Sequence, residues 1–368
     1  MNIYIVDYLG IHCGMHYYND AFVKVLHDIP DAEIRVLSNY EETGKRTFFC
    51  NQYRGCIFRK LGCLIMNYLR LIRFVWLHRA DCFIYLTYGN KIDLPFMWIV
   101  SLAPKHLIDI HEAIAQNIDG NKRIKQAFRN LYECRIRNVI VHSDRTDRFL
   151  DEYNFAGLRL KVPHFRYQFG KNCRMPEVGK DVLGAIIAEK INILFFGNIN
   201  ISKGIDILID AVNKLNSDIC QEINVVIAGK DFDHAIDRVK PRDSSLFHVI
   251  LRHINDDELV FLYTKCSYVA LPYRKTSQSG ILEMAFYFRK PIIASHIPYF
   301  EQVLTKFPSF GVLADNESDA GNCFARTLSA TIERHGITSF FDDDDWNNYV
   351  HREEMERFRT ELSAWMHE

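Results

Sequence analysis

Two loops in this chain carry residues suited to holding an anion. The stretch Tyr268–Ser295 runs from an apolar, strand-like segment ending at Leu271, through the polar turn Ser277-Gln278-Ser279-Gly280, into a mostly apolar helix over 281–288 and a second apolar strand over 291–295. A helix that starts after such a turn presents free backbone N–H groups and the positive end of its dipole, an arrangement that favours phosphate. Arg274 and Lys275, just before the turn, add charge of the same sign. An ordinary capped crossover in an α/β sheet has the same pattern, so the turn alone leaves both readings open. Upstream, Gly197-Asn198-Ile199-Asn200-Ile201-Ser202-Lys203-Gly204 forms a glycine-bounded loop between a strand over 192–196 and an amphipathic helix over 205–215. His111-Glu112 closes a strand over 107–110, at the carboxyl end where open α/β sheets bind ligands. Gly10 and Gly14 follow the first strand, 3–6, and let backbone approach a ligand closely. The spacing is not GxGxxG, which argues against a dinucleotide.

These loops need a scaffold of alternating strands and helices. The chain has 368 residues, 48% hydrophobic and 25% charged, which suits two globular domains. A net charge of −1 gives no basic field for nucleic acid. Ten cysteines without a CxxC pair or zinc spacing read as reduced thiols, and the N-terminus lacks a basic leader, so a cytoplasmic protein is expected. No apolar run reaches transmembrane length. Strands at 3–6, 32–37, 82–86, 107–110 and 139–141 alternate with helices, among them 122–134 and 144–152. A second alternating set begins at Asn192. The expected fold class is α/β, with two doubly wound Rossmann-like domains. Their bounds are 1–170, a linker over 171–190, and 191–345. Residues 332–338 read as a loop. The acidic run 342–345 reads as a solvated helix start rather than a metal site, opening a final helix from Trp346. Residues 61–78 form a helix with one basic face, flanked by Arg59, Lys60 and Arg79, either an ordinary packed helix or a peripheral contact with anionic lipid through Arg59–Arg79.

The order and spacing of these motifs resemble a known family. Leu194-Phe195-Phe196-Gly197, then Ser202-Lys203-Gly204-Ile205-Asp206-Ile207-Leu208, look like the first donor motif of GT-B glycosyltransferases of retaining family 4. Leu271-Pro272-Tyr273-Arg274, Ser277-Gln278-Ser279-Gly280 and Lys290-Pro291-Ile292-Ile293 look like the second. Ala228-Gly229 and the run from Ile254 to Leu259 match in between. The resemblance is specific over 192–303 and looser before it. It implies the GT-B architecture, with two domains facing across a cleft and the final helix crossing back to the first domain.

The same resemblance implies a UDP- or GDP-linked sugar donor and retention without a metal ion or other cofactor. A saccharide or lipid-linked acceptor would follow, as in surface polysaccharide synthesis. Lys203 matches the lysine that contacts the donor diphosphate, and His111 a histidine near the donor sugar. Cys13, Gly14, Asn198, Arg274, Ile254, Ser277, Gln278, Ser279, Gly280 and Glu283 fall at donor-binding positions; His16 and Glu112 are further candidates. Two features depart from the family pattern. Asn198 stands where the family commonly has arginine, leaving Arg274 or Arg252 to substitute. The family's glutamate pair is broken, its first member falling at Thr276/Ser277 and its second at Met284, with Glu283 one place away. A non-catalytic sugar-nucleotide or glycan-binding protein, or an epimerase-type enzyme, therefore stays open.

Overall fold

The computed structural model describes residues 2–10, 15–27, 29–30, 32–40, 47–50, 55–111, 121–167, 169, 177–231, 234–239, 241–276, 278–315, 317–338 and 340–367. It divides into two compact units, 1–167 with 352–368, and 168–351.

The first unit is built on a parallel sheet ordered β2-β1-β3-β4-β5-β6. Its strands are β1 Asn2–Val6, β2 Glu33–Leu37, β3 Cys82–Thr87, β4 His106–Ile110, β5 Asn138–Val141 and β6 Leu158–Lys161. Every residue of β3 and β4 is buried, as expected of inner strands covered by helices on both faces. The connecting helices are α1 Met15–His27, α2 Ile57–Leu77, α3 Asp93–Val100, α4 Lys122–Cys134 and α5 Asp144–Glu152. Asn121 and Ser143 cap α4 and α5 through their side chains, which is why those two starts are legible in the sequence.

The second unit repeats the plan with the parallel order β12-β11-β10-β7-β8-β9. The strands are β7 Ile191–Phe196, β8 Ile223–Ala228, β9 Phe247–Ile250, β10 Tyr268–Leu271, β11 Ile292–Ala294 and β12 Gly311–Leu313. Helices α6 Lys180–Gly184, α7 Ile205–Asn213, α8 Ser217–Glu222, α9 Asp256–Lys265, α10 Gly280–Tyr287, α11 Pro298–Lys306, α12 Ala320–His335 and α13 Asp343–Val350 belong to this unit; α14 Glu353–His367 returns to the first. A full capping box between Asn255 and Glu258 starts α9.

Three expectations are corrected. Residues 332–335 are helical, because the buried Thr331 and Ile332 extend the apolar stripe of α12 and the helix ends only at Gly336. The final helix is two, broken at His351 and Arg352. Arg352 is buried and donates from Nη2 to the His164 carbonyl at 3.1 Å. Around the break, Tyr349 packs with Phe310 at the end of α13, while Phe358, Leu362 and Met366 of α14 are buried. The third concerns α2. Its outward side is mainly apolar, carrying Ile57, Phe58, Leu61, Ile65, Leu69 and Trp76, with arginines along one margin rather than a basic face.

Candidate functional site

In the second unit the two donor-like motifs pack on each other. β7 ends at Phe196, and the loop that begins at Gly197 closes through Asn200, whose side chain accepts from the Lys203 backbone N–H at 3.0 Å and from Ser202 Oγ at 2.7 Å. Arg274 then joins the motifs. Its backbone N–H donates to the Ser202 carbonyl at 2.9 Å. Its guanidinium donates to the Ile201 carbonyl at 2.6 Å and, in a two-point pair, to the Asp206 carboxylate at 2.7 and 2.5 Å. The Arg274 guanidinium in turn holds the Asp206 carboxyl below its ordinary range, against the opposing effect of burial.

Gly204 sits at the closest approach, with φ +69°, and a Cβ there would lie 1.8 Å from the Pro272 carbonyl oxygen. Gly204→Ala should therefore destabilise the unit by more than the ~1–2 kcal/mol of a left-handed residue alone. A lowered urea midpoint at unchanged slope is the expected result.

This packing sets Lys203. Its Nζ lies 5.2 Å from the centroid of the Tyr273 ring. A Cβ on Gly197 would stand 3.5 Å from that ammonium and 2.9 Å from Ile281 Cδ1, so Lys203 ends beside the first turn of α10. Ser279 caps that helix, accepting from the Leu282 N–H. Among the described residues no carboxylate forms an ion pair with Lys203, unlike the neighbouring arginines. Arg252 is bound to Glu258 and Asp181, and Arg274 to Asp206. The two side chains expected to replace the missing arginine are thus already committed, and Asn198 itself is exposed. Glu283 is buried and accepts a hydrogen bond from the Tyr349 hydroxyl within the aromatic group of Phe286 and Phe310. Its carboxylate is turned into packing, a partner that spacing along the sequence does not reveal. Ile254 is buried, Gln278 and Gly280 are half-buried, and Ser277 lies outside the described residues.

In the first unit, strands β4 and β5 bring a buried polar cluster together. Asp109 is the penultimate residue of β4, His111 follows that strand, and His142 follows β5, with Tyr18 reaching in from α1. His142 Nε2 lies 2.7 Å from Asp109 Oδ1, and its Nδ1 is 3.0 Å from the Val162 carbonyl oxygen. A carbonyl only accepts, so Nδ1 carries a proton. A proton lies in the short contact to Asp109 as well, which makes this a buried, hydrogen-bonded histidine–carboxylate pair. Tyr18 donates to Asp109 Oδ2 at 2.6 Å. Burial raises the Asp109 pKa, but the two histidines and Tyr18 outweigh it and hold it below the ordinary carboxylate value. His111 Nε2 is 3.7 Å from Asp109 Oδ1. Burial, with His142 alongside, lowers the His111 pKa to about 4 against the pull of Asp109, so at neutral pH it is an uncharged imidazole able to donate one hydrogen bond and accept another.

Donor atoms of Asp109, His111 and His142 all lie within 4.8 Å of one another, a spacing a metal ion could use, although hydrogen bonds already occupy both nitrogens of His142. Sequence reading named His111 but not Asp109 or Tyr18. The available signal was that His111 and His142 end consecutive strands, which become neighbours when β4 pairs with β5. Cys13, Gly14 and Glu112 lie outside the described residues, and His16 is half-buried on α1.

Comparison with solved structures decides the architecture. HepE of Anabaena in complex with UDP-glucose superposes with a TM-score of 0.68 over 99% of this chain and 98% of its own, at 14% identity. The fold is GT-B. Sucrose-phosphate synthase of Thermosynechococcus elongatus gives 0.61 at 12% identity over 98% and 94%. WaaG, a glycosyltransferase involved in lipopolysaccharide biosynthesis, gives 0.64 at 10% over 98% of each chain. Within this GT-B chain, residues 184–328 match the family described as glycosyl transferases group 1. That match covers Lys203, Arg274 and the α10 turn. Comparison with curated protein sequences gives no significant match.

Proposed function

We propose that this GT-B chain is a retaining, metal-independent glycosyltransferase. It moves a hexose from a UDP- or GDP-linked donor to a glycan or lipid-linked saccharide acceptor in surface polysaccharide synthesis. The observation that carries the reading is Lys203, a cation without a carboxylate partner among the described residues, set beside the first turn of α10. As the glycosidic bond breaks, the leaving diphosphate gains negative charge. An ammonium and a helix N-terminus aimed at it stabilise that charge more in the transition state than in the ground state. Neutral His111 suits a hydrogen bond to a sugar hydroxyl. The group 1 match over 184–328 and the UDP-bound HepE structures support a nucleotide-sugar donor with a uracil base; WaaG supports the choice of acceptor class. The proposed location is the cytoplasm, at the inner face of a membrane contacted through Arg59–Arg79. The eight cysteines among the described residues, all free, agree with a reducing compartment.

A thermal-shift screen against UDP, GDP, ADP and their sugar forms tests the donor. Ligand at a hundred times its Kd adds about 2.7 kcal/mol to the native state. UDP and a UDP-sugar should raise the midpoint most. Midpoints unmoved by every nucleotide would end the proposal. A non-catalytic binder is the second reading, favoured by Asn198 and by the commitment of Glu283 to Tyr349. It predicts the same shifts without transfer to any acceptor, whereas an epimerase-type enzyme would consume the sugar nucleotide with no acceptor present.

A further inference from the structure

Helix α2 has two apolar faces, and the first unit covers only one of them. Asn67, Leu71 and Val75 are buried, with Leu64, Tyr68 and Phe74 packed beside them. At about 100° per residue, Phe58, Leu61, Ile65, Leu69, Ile72 and Trp76 fall in one stripe centred about 120° around the helix from the buried one. Phe58 is 83% exposed and Trp76 71%. The stripe runs the length of a 21-residue helix, about 31 Å at 1.5 Å per residue. Isolated surface leucines need no explanation, but a continuous ridge of this size marks a contact surface.

The charge beside the ridge identifies what covers it. Arg59, Arg70 and Arg73 line one margin, and Arg79 stands just past the C-terminal end. From Gly55 to Ala80 there is no acidic residue. Among the described residues none of these four arginines forms an ion pair; Arg70 donates only to the Phe48 carbonyl and Cys50 Sγ. α3 packs against α2 and α4 against α3. These neighbours add the exposed Trp98 and the basic residues Lys122, Arg123, Lys125 and Arg129. A two-fold contact with a second copy would set this cationic margin against itself, whereas an anionic lipid surface complements it. Aromatic rings at both ends of an amphipathic helix suit the headgroup depth. Four cations within α2 rule out a span, and no helix among the described residues is long and apolar enough to cross a membrane.

We infer that α2 docks the chain on an anionic bilayer, its apolar ridge entering the headgroup–acyl boundary and its arginines engaging headgroup phosphates. This rests on the peripheral-contact reading above and changes its mode, from arginine attraction alone to insertion of the ridge.

Vesicle co-sedimentation of the full chain tests it. Phosphatidylcholine vesicles containing phosphatidylglycerol should bind at least about tenfold more protein than pure phosphatidylcholine, and added salt should reduce the difference. The triple variant Phe58→Asp/Leu69→Asp/Trp76→Asp removes exposed side chains, so it should fold. It should lose about tenfold or more in binding to the anionic vesicles. Arg59→Glu/Arg73→Glu should weaken anionic binding and leave the residual binding to pure phosphatidylcholine. Wild type that ignores vesicles, or a triple variant that binds like wild type, would overturn the inference. So would a lipid-free dimer that the triple variant turns into monomer. UDP-induced thermal shifts, measured in parallel on the same variant, should be unchanged, which separates failure of docking from failure of donor binding.

Discussion

Lys203→Ala is expected to lower kcat about 100- to 1000-fold, the effect of removing one donor aimed at developing negative charge. The loss should fall on chemistry rather than on folding, because the ammonium has no ion pair among the described residues and lies over the Tyr273 ring. Urea midpoints for wild type and variant should agree within ~0.5 kcal/mol, as for a surface change away from packing. Lys203→Arg keeps the charge but puts a planar fork where a compact ammonium fits, so it recovers only part of the rate. Initial rates of transfer or donor hydrolysis with the sugar nucleotide chosen by thermal shift provide the measurement. A variant that retains wild-type kcat removes the physical basis of the proposed chemistry.

The second large effect is on stability. His142→Leu leaves Asp109 buried with Tyr18 as its main partner, which should cost ~3–5 kcal/mol, as for one member of a buried pair removed. The double variant Asp109→Leu/His142→Leu should be the more stable of the two, because no unpaired charge stays in the interior. Equal losses in single and double variants would show that Asp109 without His142 leaves no uncompensated charge in the interior.

Acid adds a separate signature. His111 takes up a proton in the folded chain only at about pH 4, whereas in the unfolded chain it does so near 6.5. Between those values the unfolded state binds more protons, so stability falls as pH falls. At about 1.4 kcal/mol per pH unit, this one group removes about 3 kcal/mol. Asp109 acts elsewhere. Its pKa is depressed in the folded state, so its contribution is present above the unfolded value near 3.9 and is lost only as pH drops below that. His111→Gln should therefore flatten the decline in urea-unfolding stability between neutral pH and pH 4.5, and leave any loss below pH 4 in place.

Some of this was legible from local pattern. Apolar runs closed by Gly197, Gly229 and Pro272 marked inner strands of the second unit, and the starts of α4 and α5 fall after the capping residues Asn121 and Ser143, because both signals act within a few residues. Helix α3, Asp-Leu-Pro-Phe-Met-Trp-Ile-Val, is apolar after its first residue and offers no polar stripe to set a helical period. The sequence shows the arginines of α2 but does not say which of its two apolar faces the core will take, so the outward ridge is not legible in it.

The sequence by itself determined that the chain alternates strands with helices in two sets, and that Lys203 and the Ser279-Gly280 turn each stand at a strand-to-helix junction. Tertiary structure alone decided which cations are engaged. Arg274 closes on Asp206, Arg252 on Glu258 and Asp181, Glu283 accepts from Tyr349, and Asp109 gathers Tyr18 and His142. Apart from Arg252–Glu258, which are neighbours in sequence, those pairings join residues far apart in the chain, and they follow from which strands become neighbours and which helix faces the sheets cover. Local propensity carries no information about either.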